Sequence, residues 1–278
     1  MKASEFVQLP ATVTRGAVTI EYRWIGADRA DGPIAVFLHE GLGSIAMWKD
    51  WPHALCERLG MRGLVYSRPG YGRSTPRPHE VKWPVDFMSH QARDVLPALL
   101  DALGVSTAER ARMWLIGHSD GGSIALLYAA FFPRALAGAV AIAPHVFVED
   151  LSVESIAETK VAYETTNLRD KLARYHDDVD SAFYGWNDIW LNPAFRAWDI
   201  VDQLGAIRAP LLAVQALDDH YGTMEQVERI GEAVPHALVH ALAAGGHSPH
   251  RDAAPALNDV IAQFVLAAHE PRQPAVSG

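Results

Sequence analysis

Short apolar runs alternate with longer stretches of helical period along most of this chain. The opening third carries two β-branched and aromatic runs, "FVQLPATVT" and "AVTIEYRWIG", separated by Arg15-Gly16. That arrangement predicts a hairpin. "PIAVFLH" (33–39) and "RGLVYS" (62–67) are near-continuous apolar runs, as strands covered on both faces require. A helix is expected between them, from about Met47 to Leu59, and another from Asp86 to Leu103, stopped by Gly104. "RMWLIGH" (112–118) reads as a strand, Ile124 to Phe132 as a helix closed by Pro133, and "AGAVAIAP" (137–144) as a further strand. The alternation resumes with "APLLAVQAL" (209–217), a helix around 223–233, "HALVHAL" (236–242) and a last helix from about Asp252 to Ala268. The pattern predicts an α/β fold: a mostly parallel eight-stranded sheet with helices on both faces.

Residues 146–198 break the alternation. They contain no buried-strand run, read as several helices, and hold nine of the chain's 25 aromatics, among them Trp186 and Trp190. An all-helical piece between two strands of a parallel sheet is expected to be an inserted cap, with 1–145 and 199–278 forming the core domain. Most of its aromatics are expected to glue it to the core.

Composition narrows the partners. With 278 residues and 49% hydrophobic content the chain can bury a core unaided. A net charge of −9 argues against nucleic acid, and no run of 18 apolar residues suggests a membrane span. The amino terminus lacks a secretory apolar core, and Cys56 is the single cysteine. A cytoplasmic setting is therefore expected, with Cys56 serving as packing. A small-molecule substrate is the expected partner, and a homo-oligomer is left open. No cofactor is expected: "GLGS" (41–44) lacks the third glycine and the downstream acid of a dinucleotide fingerprint. Asp218, Asp219 and His220, or His247 and His250, do not complete a metal site.

The densest chemistry lies in "WLIGHSDGGSIALLY" (114–128). A strand that turns at once into a helix holds the residue between them in an unfavourable backbone conformation. Its neighbours two positions away must then be small, and Gly117 and Gly121 flank Ser119 at that spacing. The turn would present the Ser119 hydroxyl at a helix amino terminus, where N–H groups favour developing negative charge. A hydroxyl attacks only when a base takes its proton, so a histidine oriented by a carboxylate should follow. "LLAVQALDDHYGT" offers Asp218 and Asp219 after one strand, and "HALVHALAAGGHSPH" offers His247 after the last.

These residues together resemble the α/β-hydrolase superfamily, of the capped small-molecule esterase type, over nearly the whole chain. The resemblance implies Ser119 as nucleophile, His247 as base and Asp219 as acid. Ala216 stands where relatives often place a glycine three residues before the acid, which favours Asp219 over Asp218. "HEGLGS" (39–44) resembles the His-Gly-x-Pro oxyanion loop, implying backbone N–H donors from Gly41 and Asp120. Glu40 replaces the usual glycine and Leu42 the proline, so the loop could follow another path. Glu40, Leu42, Trp186 and Trp190 are the candidate pocket residues. "YSRPGYGRS" (66–74) resembles a further motif with Ser67 in place of aspartate, and is read as structural. His39 is read as structural, and His250 as a satisfied loop histidine.

The expected function is cofactor-free serine hydrolysis of an ester or related acyl bond. The insertion's aromatics favour a small apolar or aromatic substrate. Nine acidic against four basic residues over 146–180 weakly disfavour a polyanion. The same resemblance leaves open carbon–carbon bond hydrolysis, peptide cleavage, lyase chemistry, cofactor-free oxygenation, or a non-catalytic receptor for a small ligand. Members using aspartate as nucleophile are disfavoured by Ser119.

Overall fold

The computed structural model describes residues 4–11, 16–26, 28–29 and 31–269. Among the described residues, eight strands form one sheet: β1 (Glu5–Leu9), β2 (Val18–Ile25), β3 (Ile34–Leu38), β4 (Arg62–Tyr66), β5 (Trp114–His118), β6 (Gly138–Ile142), β7 (Leu211–Ala216) and β8 (Leu238–Leu242). Their spatial order is β1-β2-β4-β3-β5-β6-β7-β8. β2 is antiparallel to both β1 and β4, and every other pairing is parallel. β1 and β2 pair as the two arms of the expected hairpin, while Arg15 lies outside the described residues.

Central strands β3, β5, β6 and β7 are buried at every position, which explains their unbroken apolar runs. The edge strands β1 and β8 alternate more and face solvent. Parallel pairing sets the carboxyl ends level: Leu38 lies opposite Gly117, His118 opposite Ile142, and Ala216 opposite Leu242. From β3 the chain moves to β4 on one side and then returns to β5 on the other. This reversal opens a crevice at the carboxyl ends of β3 and β5.

Several helix boundaries differ from the sequence expectation, each for a local reason. The first helix starts at Trp51, not Met47, because Pro52 has no N–H and its ring excludes a preceding helical turn. Asp86–Leu103 runs as Phe87–His90, a π-helical turn Gln91–Val95, and Leu96–Ala102. Pro97, unable to donate to the turn before it, sits where the regular helix resumes. The helix expected from Ile124 begins at Asp120, directly after Ser119, so the two glycines there lie within a helix. The last helix is Ala254–His269, preceded by a separate turn Pro249–Asp252.

Between β6 and β7 the chain forms helices Asp150–Thr165, Leu168–Leu172 and Val179–Trp190 and a 3₁₀ turn Pro193–Ala197. Its two ends are tied together by an antiparallel bridge between Phe147 and Asp199, and Ile200 N–H donates to the Val146 carbonyl at 2.8 Å. Tyr163 stacks on Phe183 with centroids 3.6 Å apart, and Phe195 stacks on Trp198 at 5.2 Å. Among the described residues, no helix is long and apolar enough to cross a membrane.

Helix Asp120–Phe131 is buried all round except at Phe131, because it packs tightly behind the sheet. Its approach is closest at two glycines. A Cβ at Gly121 would overlap the Leu38 carbonyl of β3, and one at Gly117 would overlap the Gly121 carbonyl. Both obstacles are backbone and cannot rotate away. Gly121→Ala should therefore destabilise the protein by roughly 3 kcal/mol or more. A thermal unfolding midpoint within error of wild type would show that the helix can shift instead.

Candidate active site

Ser119 occupies the junction between β5 and its helix with φ 53° and ψ −122°, one of three non-glycine residues at positive φ among the described residues. Such a conformation costs on the order of 1–3 kcal/mol and persists only where its surroundings enforce it. Here Ser119 N–H is held by the Ile142 carbonyl at 2.9 Å, and the glycine contacts hold the helix behind it. The turn leaves Ser119 Oγ free of any capping role and directs it to His247.

His247 arrives on the loop after β8, and Asp219 on the loop after β7. The hydroxyl of Ser119 donates to His247 Nε2 at 2.9 Å. On the other side His247 Nδ1–H donates to Asp219, 2.8 Å from Oδ2 and 3.1 Å from Oδ1. A carboxylate can only accept, so it fixes the proton on Nδ1 and leaves Nε2 as the acceptor facing Ser119. Asp218 does not reach the ring. It accepts from Gly246 N–H at 2.8 Å and so anchors the backbone just before His247.

Burial pushes the Asp219 carboxyl up, but the His247 hydrogen bond and charge and the N–H of Tyr221 outweigh it, leaving it below its ordinary value. Gln215 Nε2–H adds a bond to Oδ2 at 2.9 Å. Burial pushes His247 down, Asp219 pulls it up, and burial prevails. His247 is therefore neutral below the usual histidine range, with Nε2 available to take a proton.

The loop after β3 faces this group across the crevice. Gly43 N–H donates to the Glu40 carbonyl at 3.0 Å, closing a turn with Gly41 and Leu42 at its centre. The same carbonyl accepts His39 Nδ1–H at 2.7 Å and Arg68 Nη2–H at 2.8 Å. His39 Nε2 in turn accepts the Arg68 N–H at 2.9 Å. Burial, together with the adjacent Arg68 charge, holds His39 well below its ordinary pKa. One nitrogen then donates while the other accepts. Gly41 is obligatory in this arrangement, because a Cβ there would overlap the Trp186 indole. Asp120 is the first helical residue, so its N–H has no intrahelical acceptor.

Ser119, His247, Gly41, Glu40, Leu42, Trp186 and Trp190 all line one cavity of about 290 Å³. Glu40 lines it beside Ser119, its Oε2 lying 3.5 Å from His118 Nδ1. Trp190 Nε1–H donates to Asp120 Oδ1 at 3.2 Å, and the buried Arg68 guanidinium lies 3.6 Å from Asp120 Oδ2. Burial pushes the Asp120 carboxyl up against the pull of Arg68.

Linear reasoning missed Arg68, His118 and His145. Arg68 lay inside the motif read as structural, yet it braces the loop after β3 and faces Asp120. His118 Nε2–H donates to the His247 carbonyl at 2.6 Å and so supports the His247 backbone. His145, pushed down to about 3 by burial and the nearby His247, lines the cavity with Nδ1 lacking a hydrogen-bond partner among the described residues. Only adjacency to "GHSDG" and the position after β6 hinted at these last two. Where the motif has Ser67 in place of aspartate, Glu21 on β2 supplies the carboxylate: Ser67 Oγ–H donates to it at 2.8 Å. His250 packs its ring against Trp48 and His118, and Cys56 is fully buried with its thiol pushed up to about 12.

Comparison with known proteins agrees with this architecture. Residues 35–260 match the Alpha/beta hydrolase family. A Variovorax paradoxus protein provisionally named a carbamate hydrolase is 30% identical over 88% of this chain and 96% of its own length. Among solved structures, a carboxylesterase from Nitrososphaera gargenis superposes with a TM-score of 0.76 at 18% identity, covering 95% of this chain and 98% of its own. A proline iminopeptidase from Mycobacterium smegmatis gives 0.72 at 17% identity, covering 96% and 98%. At these identities the structural likeness establishes the fold.

Proposed function

We propose that this chain, which belongs to the Alpha/beta hydrolase family, cleaves an ester or related acyl bond of a small apolar or aromatic substrate by a serine acyl-enzyme route. The observation that carries this reading is the continuous Ser119–His247–Asp219 hydrogen-bond chain opening onto an aromatic-lined cavity. The carboxylesterase and carbamate hydrolase named above support an acyl carbon as the point of attack.

In this reading His247 Nε2 removes the Ser119 proton as Oγ attacks the substrate carbonyl carbon. The carbonyl π electrons move onto oxygen, and the N–H groups of Gly41 and Asp120 receive that oxyanion. The tetrahedral intermediate collapses, and His247 passes its proton to the departing alcohol or amine. Water, deprotonated by the same nitrogen, then releases the acid and restores Ser119. Asp219 holds the productive tautomer and stabilises the imidazolium. The insertion acts as a cap, with Trp186 and Trp190 closing the cavity over Ser119 and favouring flat apolar groups.

A fluorophosphonate should add once to wild type and not to Ser119→Ala, as read by intact mass, and wild type should sustain turnover of aryl esters. A single labelling event without any turnover would favour a ligand-binding role. Asp219→Asn should lower kcat/KM by roughly 10⁴-fold, and Asp218→Asn far less. The reverse order in steady-state kinetics would overturn the role given to Asp219.

The base works only when neutral, and burial sets His247 below the ordinary value of 6.5. With an uncharged ester, kcat/KM should therefore hold through pH 6.5 and fall only at lower pH. A half-maximal point above pH 7 would contradict a base held neutral by dehydration.

A further inference from the structure

We propose that His176 is a positioning residue for the Gly41 N–H, so that the oxyanion hole is complete only when the inserted helices are seated on the core. This rests on the serine hydrolase reading above. His176 lies in the insertion between helices Leu168–Leu172 and Val179–Trp190 and is 6% exposed. Its Nε2–H donates to the Leu42 carbonyl at 3.0 Å, and its Nδ1 accepts Gly72 N–H at 2.9 Å. Asp177 N–H reinforces the docking by donating to the Gly72 carbonyl at 2.9 Å.

These bonds act on the turn that carries Gly41. The peptide joining Leu42 to Gly43 is held at both ends: its N–H on the Glu40 carbonyl, its C=O on His176. One residue earlier, the Trp186 indole fills the space a Gly41 side chain would need. His39 and Arg68 hold the other side of the turn from the core. The sequence Glu40-Gly41-Leu42-Gly43 contains no proline to restrict its backbone. Its shape therefore depends on external partners, and two of them belong to the insertion. A donor displaced by about 1 Å no longer holds the developing charge effectively.

His176 does not line the cavity. Its loss should therefore lower kcat through the transition state and leave substrate binding nearly alone. His176→Phe fills the ring volume with neither hydrogen bond, whereas His176→Gln retains an amide N–H for Leu42 and an oxygen for Gly72. Both would be compared with wild type by thermal unfolding, aryl-ester kinetics and inhibition by a boronic acid, whose tetrahedral adduct on Ser119 needs the oxyanion donors.

His176→Phe, folded, should lose roughly 10²-fold in kcat with KM within about threefold, and boronate affinity should fall in parallel. The Gln variant should recover most of both. If Phe does not fold, His176→Leu, smaller and equally unable to bond, takes its place. A folded Phe or Leu variant with wild-type kcat and boronate affinity overturns the proposal, as does a rise in KM alone. Those failures require an active wild type. A wild type that turns over no ester overturns the hydrolase reading and this inference with it.

Discussion

The close approach of three backbones at the end of β5 governs this structure. Gly117, Gly121 and the Leu38 carbonyl meet at distances no side chain could tolerate, and Ser119 is driven to positive φ between them. Helix Asp120–Phe131 can then begin with no connecting loop, so its first N–H groups open beside the carboxyl end of β3. The strain at Ser119 is opposed by burial on every side of that helix. Because the parallel strands end level, the loops after β3, β7 and β8 reach the same point without long excursions.

Electrostatics within the crevice depend on that geometry. Asp219 is buried yet ionised, because His247, Tyr221 and Gln215 supply donors that replace water. His247 is partly buried and held below its ordinary value because dehydration outweighs the carboxylate beside it. Arg68, itself buried, places its charge between the Glu40 carbonyl and Asp120. A single guanidinium thus braces both segments assigned to oxyanion binding. Such networks matter most when fully satisfied, since low dielectric strengthens each bond and penalises each missing one.

The inserted helices bear on the same centre from above. Trp190 reaches Asp120, Trp186 lies on Gly41, and His176 holds the Leu42 carbonyl. Further bonds tie the insertion to the core, such as Ser181 Oγ–H to the Arg77 carbonyl and Ser152 Oγ–H to the Tyr221 carbonyl, while aromatic stacks such as Tyr163 on Phe183 and Phe195 on Trp198 hold it internally. The lining of the cavity and the shaping of the loop after β3 consequently share Trp186.

The sequence alone determined the α/β alternation, the buried central strands and the strand-to-helix turn at Ser119. These follow from local rules: apolar runs mark buried strands, and glycines two residues either side of a serine mark a crowded turn. It also singled out His247 and offered Asp218 and Asp219 as the carboxylate, since each loop follows a legible strand, and the family resemblance favoured Asp219. Only the folded chain decided that Asp219 turns to the His247 ring while Asp218 takes the Gly246 N–H. Spacing alone offers both residues, and their side chains diverge only once the loop is closed. Likewise Arg68 and His176 lie far from the turn after β3 in sequence, and nothing in spacing or composition links them to it. They converge there because the Glu40 and Leu42 carbonyls must find donors, and packing alone determines which residues are near enough to serve.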